Sequence, residues 1–92
     1  MDSIIQDKKE CLICGAVDNL NSHHVFYGTA NRAVSEKYGL KVWLCVKHHT
    51  NGADAVHFNR KIDMAIKAMA QQKFEETHSR EEFVKEFGKS WL

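Results

Sequence analysis

The chain has 92 residues, 43% apolar, 27% charged and 10% aromatic, with a formal net charge of +1. That is one domain of ordinary globular composition, which excludes a disordered tail and a collagen-like or low-complexity chain. The longest apolar run, Val42-Trp43-Leu44-Cys45-Val46, has five residues, against the roughly 20 of a membrane-spanning helix. The N-terminus lacks the basic start and apolar stretch of a signal peptide, so a cytoplasmic chain with no membrane partner is the expectation.

The elements follow in order. Residues 1–10 are polar apart from Ile4 and Ile5, and either fray or lie across the surface. Cys11-Leu12-Ile13-Cys14-Gly15 reads as a tight metal-binding turn. Val25-Phe26-Tyr27 is a short strand candidate, rich in β-formers and ended by Gly28. Asn31 to Tyr38 reads as a short helix with Gly39 as its stop. Lys41 to Val46 is the best strand. A long helix follows, with Asp54 as N-cap and Phe58, Ile62, Ala65, Ile66 and Met69 recurring on one face, and it ends near Phe74 or Glu76. Ser79-Arg80-Glu81-Glu82 is a capping box that starts a shorter helix, with Phe83, Val84 and Phe87 on one face and Gly88 as its end. The whole is an α+β domain over 1–92, with its metal sites and core in 11–62 and a helical part in 63–92.

So short a chain buries a modest core and often needs a staple. Three cysteines are an odd number for disulfides, whereas five of the six histidines fall within 35 residues, among the cysteines. Metal is the natural staple. Cys11 and Cys14 form a C-x2-C pair, and Cys45 and His48 form a C-x2-H pair, with 30 residues between the two. This is a four-ligand set for a structural zinc, which takes sulfur and nitrogen tetrahedrally. One ion joining the halves closes a long loop, where a cross-link helps most in principle. The two-residue spacing favours His48 over its neighbour His49.

His23, His24, His49 and His57 remain. Neighbouring side chains of an extended segment point in opposite directions, so one of His23 and His24 can face a metal while the other faces a substrate. The same logic separates His48 from His49. His57 lies one or two turns beyond His49, depending on whether Thr50-Asn51-Gly52-Ala53 loops out. Imidazoles bind divalent transition ions, and one of near-neutral pKa serves as a general base. Phosphodiester cleavage needs such a base together with a cation against the developing charge. His78 reads as a plain core or surface residue.

Cys-x2-Cys, then His-His-Val, then Leu-Cys-x2-His-His resembles, over roughly residues 11–62, the HNH endonuclease family, and more narrowly its short phage-encoded members. The resemblance implies a small ββα-metal (His-Me finger) core and metal-dependent DNA hydrolysis of low sequence specificity in a cytoplasm, the host's if the chain is phage-encoded. It makes His24 the general base. It makes His23 and His49 ligands of a catalytic divalent ion, Mg2+ or another. Family spacing places the third ligand at Ala53, and His57 is the substitute, with Asn51 behind it. The family's middle Asn falls at Gly39-Leu40, which leaves open a non-catalytic zinc-containing DNA-binding module, or a protein-interaction module acting on a host complex. Residues 20–61 carry six basic and two acidic side chains, and Arg32, Lys37 and Lys41 there are candidates for phosphate contact.

Overall fold

The computed structural model describes residues 3–51 and 55–92. Two strands, β1 (Leu20–His24) and β2 (Lys41–Cys45), form an antiparallel pair. Between them lies α1 (Thr29–Tyr38), and after β2 comes one π-helical turn (Lys47–Asn51). Two helices follow, α2 (Arg60–Phe74) and α3 (Arg80–Phe87). The result is the expected α+β chain with a two-stranded sheet, and no helix among the described residues is long and apolar enough to cross a membrane.

The first strand is displaced from its expected place. It occupies Leu20–His24 and pairs Leu20 with Cys45 and His24 with Lys41, while Val25-Phe26-Tyr27 lies beyond its end. Val25 makes one further bond, to the Leu40 carbonyl at 3.0 Å. The Ser35 hydroxyl then takes over, accepting from the Phe26 N–H (3.2 Å) and donating to the Phe26 carbonyl (2.8 Å). Val25 and Phe26 are thus buried as β-formers are, but their backbone is satisfied by a helix side chain rather than a ladder.

From Ser3 onward the N-terminal segment lies against the sheet. Ile4 donates to the Gly39 carbonyl (3.0 Å), Gln6 Oε1 accepts the Trp43 N–H (2.7 Å), and Leu12 donates to the Trp43 carbonyl (2.9 Å). These bonds cover the outer edge of β2, which would otherwise present unpaired backbone. α1 begins two residues before its expected start and ends as expected at Gly39, whose φ of +69° is the left-handed cap glycine tolerates.

α2 begins later than its apolar pattern implies. Asp54 and Ala53 lie outside the described residues, and the cap is Asn59, whose side chain accepts from the Ile62 N–H at 3.2 Å. Phe58 therefore precedes the helix and is 72% exposed, and Ala65 is exposed as well. α3 starts at the expected capping box, with Ser79 and Glu82 bonded reciprocally, and ends at Gly88. Of its apolar face, Phe83 and Phe87 are buried and Val84 stays partly exposed.

The helices pack on the chain's own core. Phe26 sits against Phe83, Phe87 and Trp91, with ring centroids 4.6–5.3 Å apart, and Phe74 meets Tyr38 and Phe83 at 5.1 and 5.3 Å. The buried Gln71 fastens the C-terminal tail by accepting the Trp91 N–H (2.7 Å) and donating to Ser90 Oγ (2.9 Å). His78 stacks on Phe74 at 4.4 Å, in keeping with a packing role. Because Phe26 joins the loop after β1 to both ends of the C-terminal part, Phe26→Ala is expected to cost about 3–5 kcal/mol, read as a lower urea midpoint with an unchanged slope.

Candidate metal centres

The first centre joins a turn to the end of a strand. The Cys11 N–H donates to the Ala16 carbonyl and the Gly15 N–H to the Cys11 carbonyl, both at 2.8 Å, with Gly15 at φ +77°. This turn puts Cys11 and Cys14 on one side, and the Leu12–Trp43 bond holds it against β2, whose last residue is Cys45. The π-helical turn carries His48 back over the same point. His48 Nδ1 lies 3.7 Å from Cys11 Sγ and 3.2 Å from Cys45 Sγ, and Cys14 Sγ lies 3.7 Å from Cys45 Sγ. Ligands at zinc–sulfur and zinc–nitrogen lengths around a tetrahedral ion stand about 3.5–3.8 Å apart, so the spacing and the donor chemistry both fit a metal such as zinc. Burial pushes the Cys11 thiol up, but backbone donors of Cys45, Cys14 and Ile13 outweigh it and bring it down to about 6. An N–H from Ala16 favours the Cys14 thiolate, yet burial and the neighbouring sulfurs of Cys11 and Cys45 leave its pKa raised.

The second centre starts from the next residue of the same turn. His49 follows His48 but joins His23 and His57, the candidate ligand atoms of all three lying within 4.8 Å of one another. Val56 donates to the His48 carbonyl at 2.8 Å, which brings the returning chain alongside and sets His57 opposite His49. Their Nε2 atoms are 3.2 Å apart. The His23 ring is 5.2 Å from each of the other two. His23 Nε2 is buried and has no hydrogen-bond partner among the described residues, which is costly unless something accepts its lone pair or proton. An ion between the three rings would do so, and the donor set fits one. Three imidazoles suit a transition ion better than magnesium, which prefers oxygen ligands, so the Mg2+ expected from the resemblance fits this site poorly.

Electrostatics agree with a ligand role. Burial first, then the charges of His49, His57, His24 and Lys67, push the His23 pKa down to about 3. Burial and His57 lower that of His49 too. Both rings are therefore neutral at pH 7, the form that binds metal.

The pocket beside the second centre, about 210 Å³, is lined by Ser22, His23, His24, Tyr27, Arg32, His49 and His57. His24 belongs to it without belonging to the ligand cluster. Its Nε2 lies 3.3 Å from Glu36 Oε1, and the other oxygen of Glu36 pairs with Lys41. The Lys41 and His24 contacts hold the Glu36 carboxyl below the usual carboxylate range. Among the phosphate candidates, Arg32 lines this pocket, whereas Lys37 lines a separate hollow with Ser3 and Ile4 and lies over the Tyr38 ring. Lys41 is a correction, since it is buried and its ammonium is taken by Glu36. The Asn51 side chain, the alternative ligand, lies outside the described part of the chain.

Glu36 has no mark in the sequence, because twelve residues separate it from His24 and only the packing of α1 against β1 joins them. Nor does the buried group beside Tyr27, in which Asp63 Oδ2 accepts from the Tyr27 hydroxyl (2.8 Å) and from Lys67 Nζ (3.0 Å).

No family model, curated protein or solved structure matches the chain. Its own geometry bears the functional argument.

Cys11→Ser is expected to lose one equivalent of zinc per chain in a metal analysis and to melt earlier, while full zinc content at full stability would retire the first centre. The second centre has a pH signature. An unfolded His23 takes up a proton near 6.5, which the folded ring refuses until about 3. Its contribution to stability is thus complete above pH 6.5 and is lost as the pH falls toward 3. Melting of protein carrying a single zinc equivalent per chain, with the three imidazoles unligated, should show this loss, and His23→Gln should flatten it over the same range.

Proposed function

We propose that the chain is a metal-dependent DNA endonuclease of the ββα-metal, HNH-like kind, hydrolysing phosphodiester bonds with low sequence preference. The observation that carries this reading is the pocket itself, where three imidazoles converge, a fourth stands outside their cluster, and an arginine lies at the side. A purely structural centre has no use for the fourth imidazole and the arginine.

His23, His49 and His57 hold the ion, which when bound opposes the negative charge gathering on phosphorus and on the leaving oxygen. His24 is the base. Its Nε2–H donates to Glu36 Oε1, which leaves Nδ1 with a free lone pair for the proton of a water. The water oxygen bonds to phosphorus as the bond to the 3′ oxygen breaks, leaving a 5′ phosphate. Glu36 stays ionised because Lys41 neutralises it, so it orients the ring without competing for the proton. Arg32 meets the phosphate charge. Where the family carries its stiffening Asn, this chain has Gly39 and Leu40, and the Ser35 hydroxyl that brackets Phe26 stiffens the loop after His24 instead. The Cys3His centre binds zinc and braces the turn from which His49 projects.

Supercoiled plasmid incubated with the purified protein and Mn2+, Ni2+ or Mg2+ tests the reading. Nicking that depends on the ion is expected. His24→Ala should lower it by about 10²–10⁴-fold at unchanged metal content, and Glu36→Ala should lower it less. Plasmid binding without nicking under all three ions would replace the enzyme with a DNA-binding module.

A further inference from the structure

A second hollow, about 690 Å³, adjoins the histidine pocket and shares His57 and Tyr27 with it. Its lining combines cations and aromatic faces. Arg60 opens α2, and Lys89 follows α3. Neither makes an ion pair among the described residues. The one acid in the lining, Asp63, is neutralised by Lys67 and bonded by the Tyr27 hydroxyl, so the groove is net positive. Phe58 is 72% exposed there, far more than any core aromatic, and Trp91 lies under Lys89 at 5.0 Å. Gln71 holds the Trp91 backbone, so this wall is fixed rather than a loose tail.

An exposed ring beside cations that no acid neutralises is what an unpaired nucleic-acid strand needs. The cations follow its phosphates and the rings stack on its bases, whose faces a duplex keeps hidden. The size agrees, since it lies within the 300–1,000 Å³ of sites that enclose one small ligand. A duplex keeps its base faces stacked inside and offers Phe58 none to stack on.

We propose that this groove binds an unpaired DNA strand next to the histidine pocket, with one base stacked on Phe58 and the adjoining phosphates on Arg60 and Lys89. The inference deepens the nuclease reading and rests on it for the choice of DNA. It makes the preferred substrate a branched or flapped duplex, cut where a single strand leaves the double-stranded part.

The probes are a labelled single-stranded oligothymidylate and a labelled hairpin duplex of equal length, followed by fluorescence anisotropy. The protein is the zinc-loaded full chain carrying His24→Ala, so that the strand is not cut. The single strand should bind more tightly than the duplex. Phe58→Ala should weaken single-strand binding about tenfold, as the loss of one base–aromatic stack does. Arg60→Gln should flatten the salt dependence by about 0.7 in the log–log slope, the share of one phosphate contact. Lys8→Ala, on the N-terminal segment, should change neither. Phe58 is exposed, so its variant is expected to fold, and an unchanged melting curve checks this.

Equal affinity for duplex and single strand overturns the proposal, as does parental single-strand binding by both groove variants. Plasmid nicking by the unsubstituted chain is read separately. Phe58-dependent strand binding without nicking keeps the groove and removes the nuclease. Nicking with a groove insensitive to both substitutions keeps the nuclease and removes the groove.

Discussion

Two consecutive imidazoles, His48 and His49, leave the π-helical turn after β2 for different destinations. One completes a group with Cys11, Cys14 and Cys45, and the other meets His23 and His57. An α-helical turn at this point would advance each side chain by about 100° and spread the pair differently. The wider turn sets one ring over the strand end and the next toward β1. Whatever orders the Cys3His group therefore also orders the second cluster. A metal bound by the cysteines constrains where His49 projects, much as second-shell partners fix a ligand's orientation.

The strand pairing supplies the other half of that geometry. His23 lies opposite Val42 and His24 opposite Lys41, so the two imidazoles stand on opposite faces of the sheet. His23 is driven into the interior, where desolvation keeps its ring neutral. His24 shares its face with Lys41, and the Glu36 carboxylate bridges the two. The charge on Lys41 is buried but paired, which is the condition under which a buried charge is tolerated. α1 thus shapes the pocket although it contributes none of the metal-binding cluster. Ser35, one residue before Glu36, braces the chain just after β1.

The C-terminal helices complete the domain rather than forming a separate one. Their phenylalanines close over Phe26, and Gln71 pins the tail so that Trp91 and Lys89 stand beside Arg60 and Phe58. A part of the chain with no motif of its own thereby walls the groove that adjoins the histidine pocket.

The ligand chemistry was legible in the residues alone. C-x2-C and C-x2-H spacing is local, and a turn or a strand end brings the members of each pair together, so the two half-sites and the assignment of His48 to one of them follow from short-range geometry, while the Leu12–Trp43 bond joins the halves. The capping box at Ser79, the stops at Gly39 and Gly88 and the strand Lys41–Cys45 are local in the same sense. Other features needed the tertiary structure. The first strand shifted to Leu20–His24 because register depends on its partner, and the Phe26 backbone found the Ser35 hydroxyl instead of a ladder. Phe58 continues an apolar period that the start of α2 at Arg60 cuts off, and Lys41 reads as a surface cation in the sequence but is buried and paired with Glu36. Each of these depends on contacts between residues distant in the chain. Sequence spacing determined which atoms can share an ion, and only the packing of α1, the sheet and the C-terminal helices decided which side chains face the space beside it.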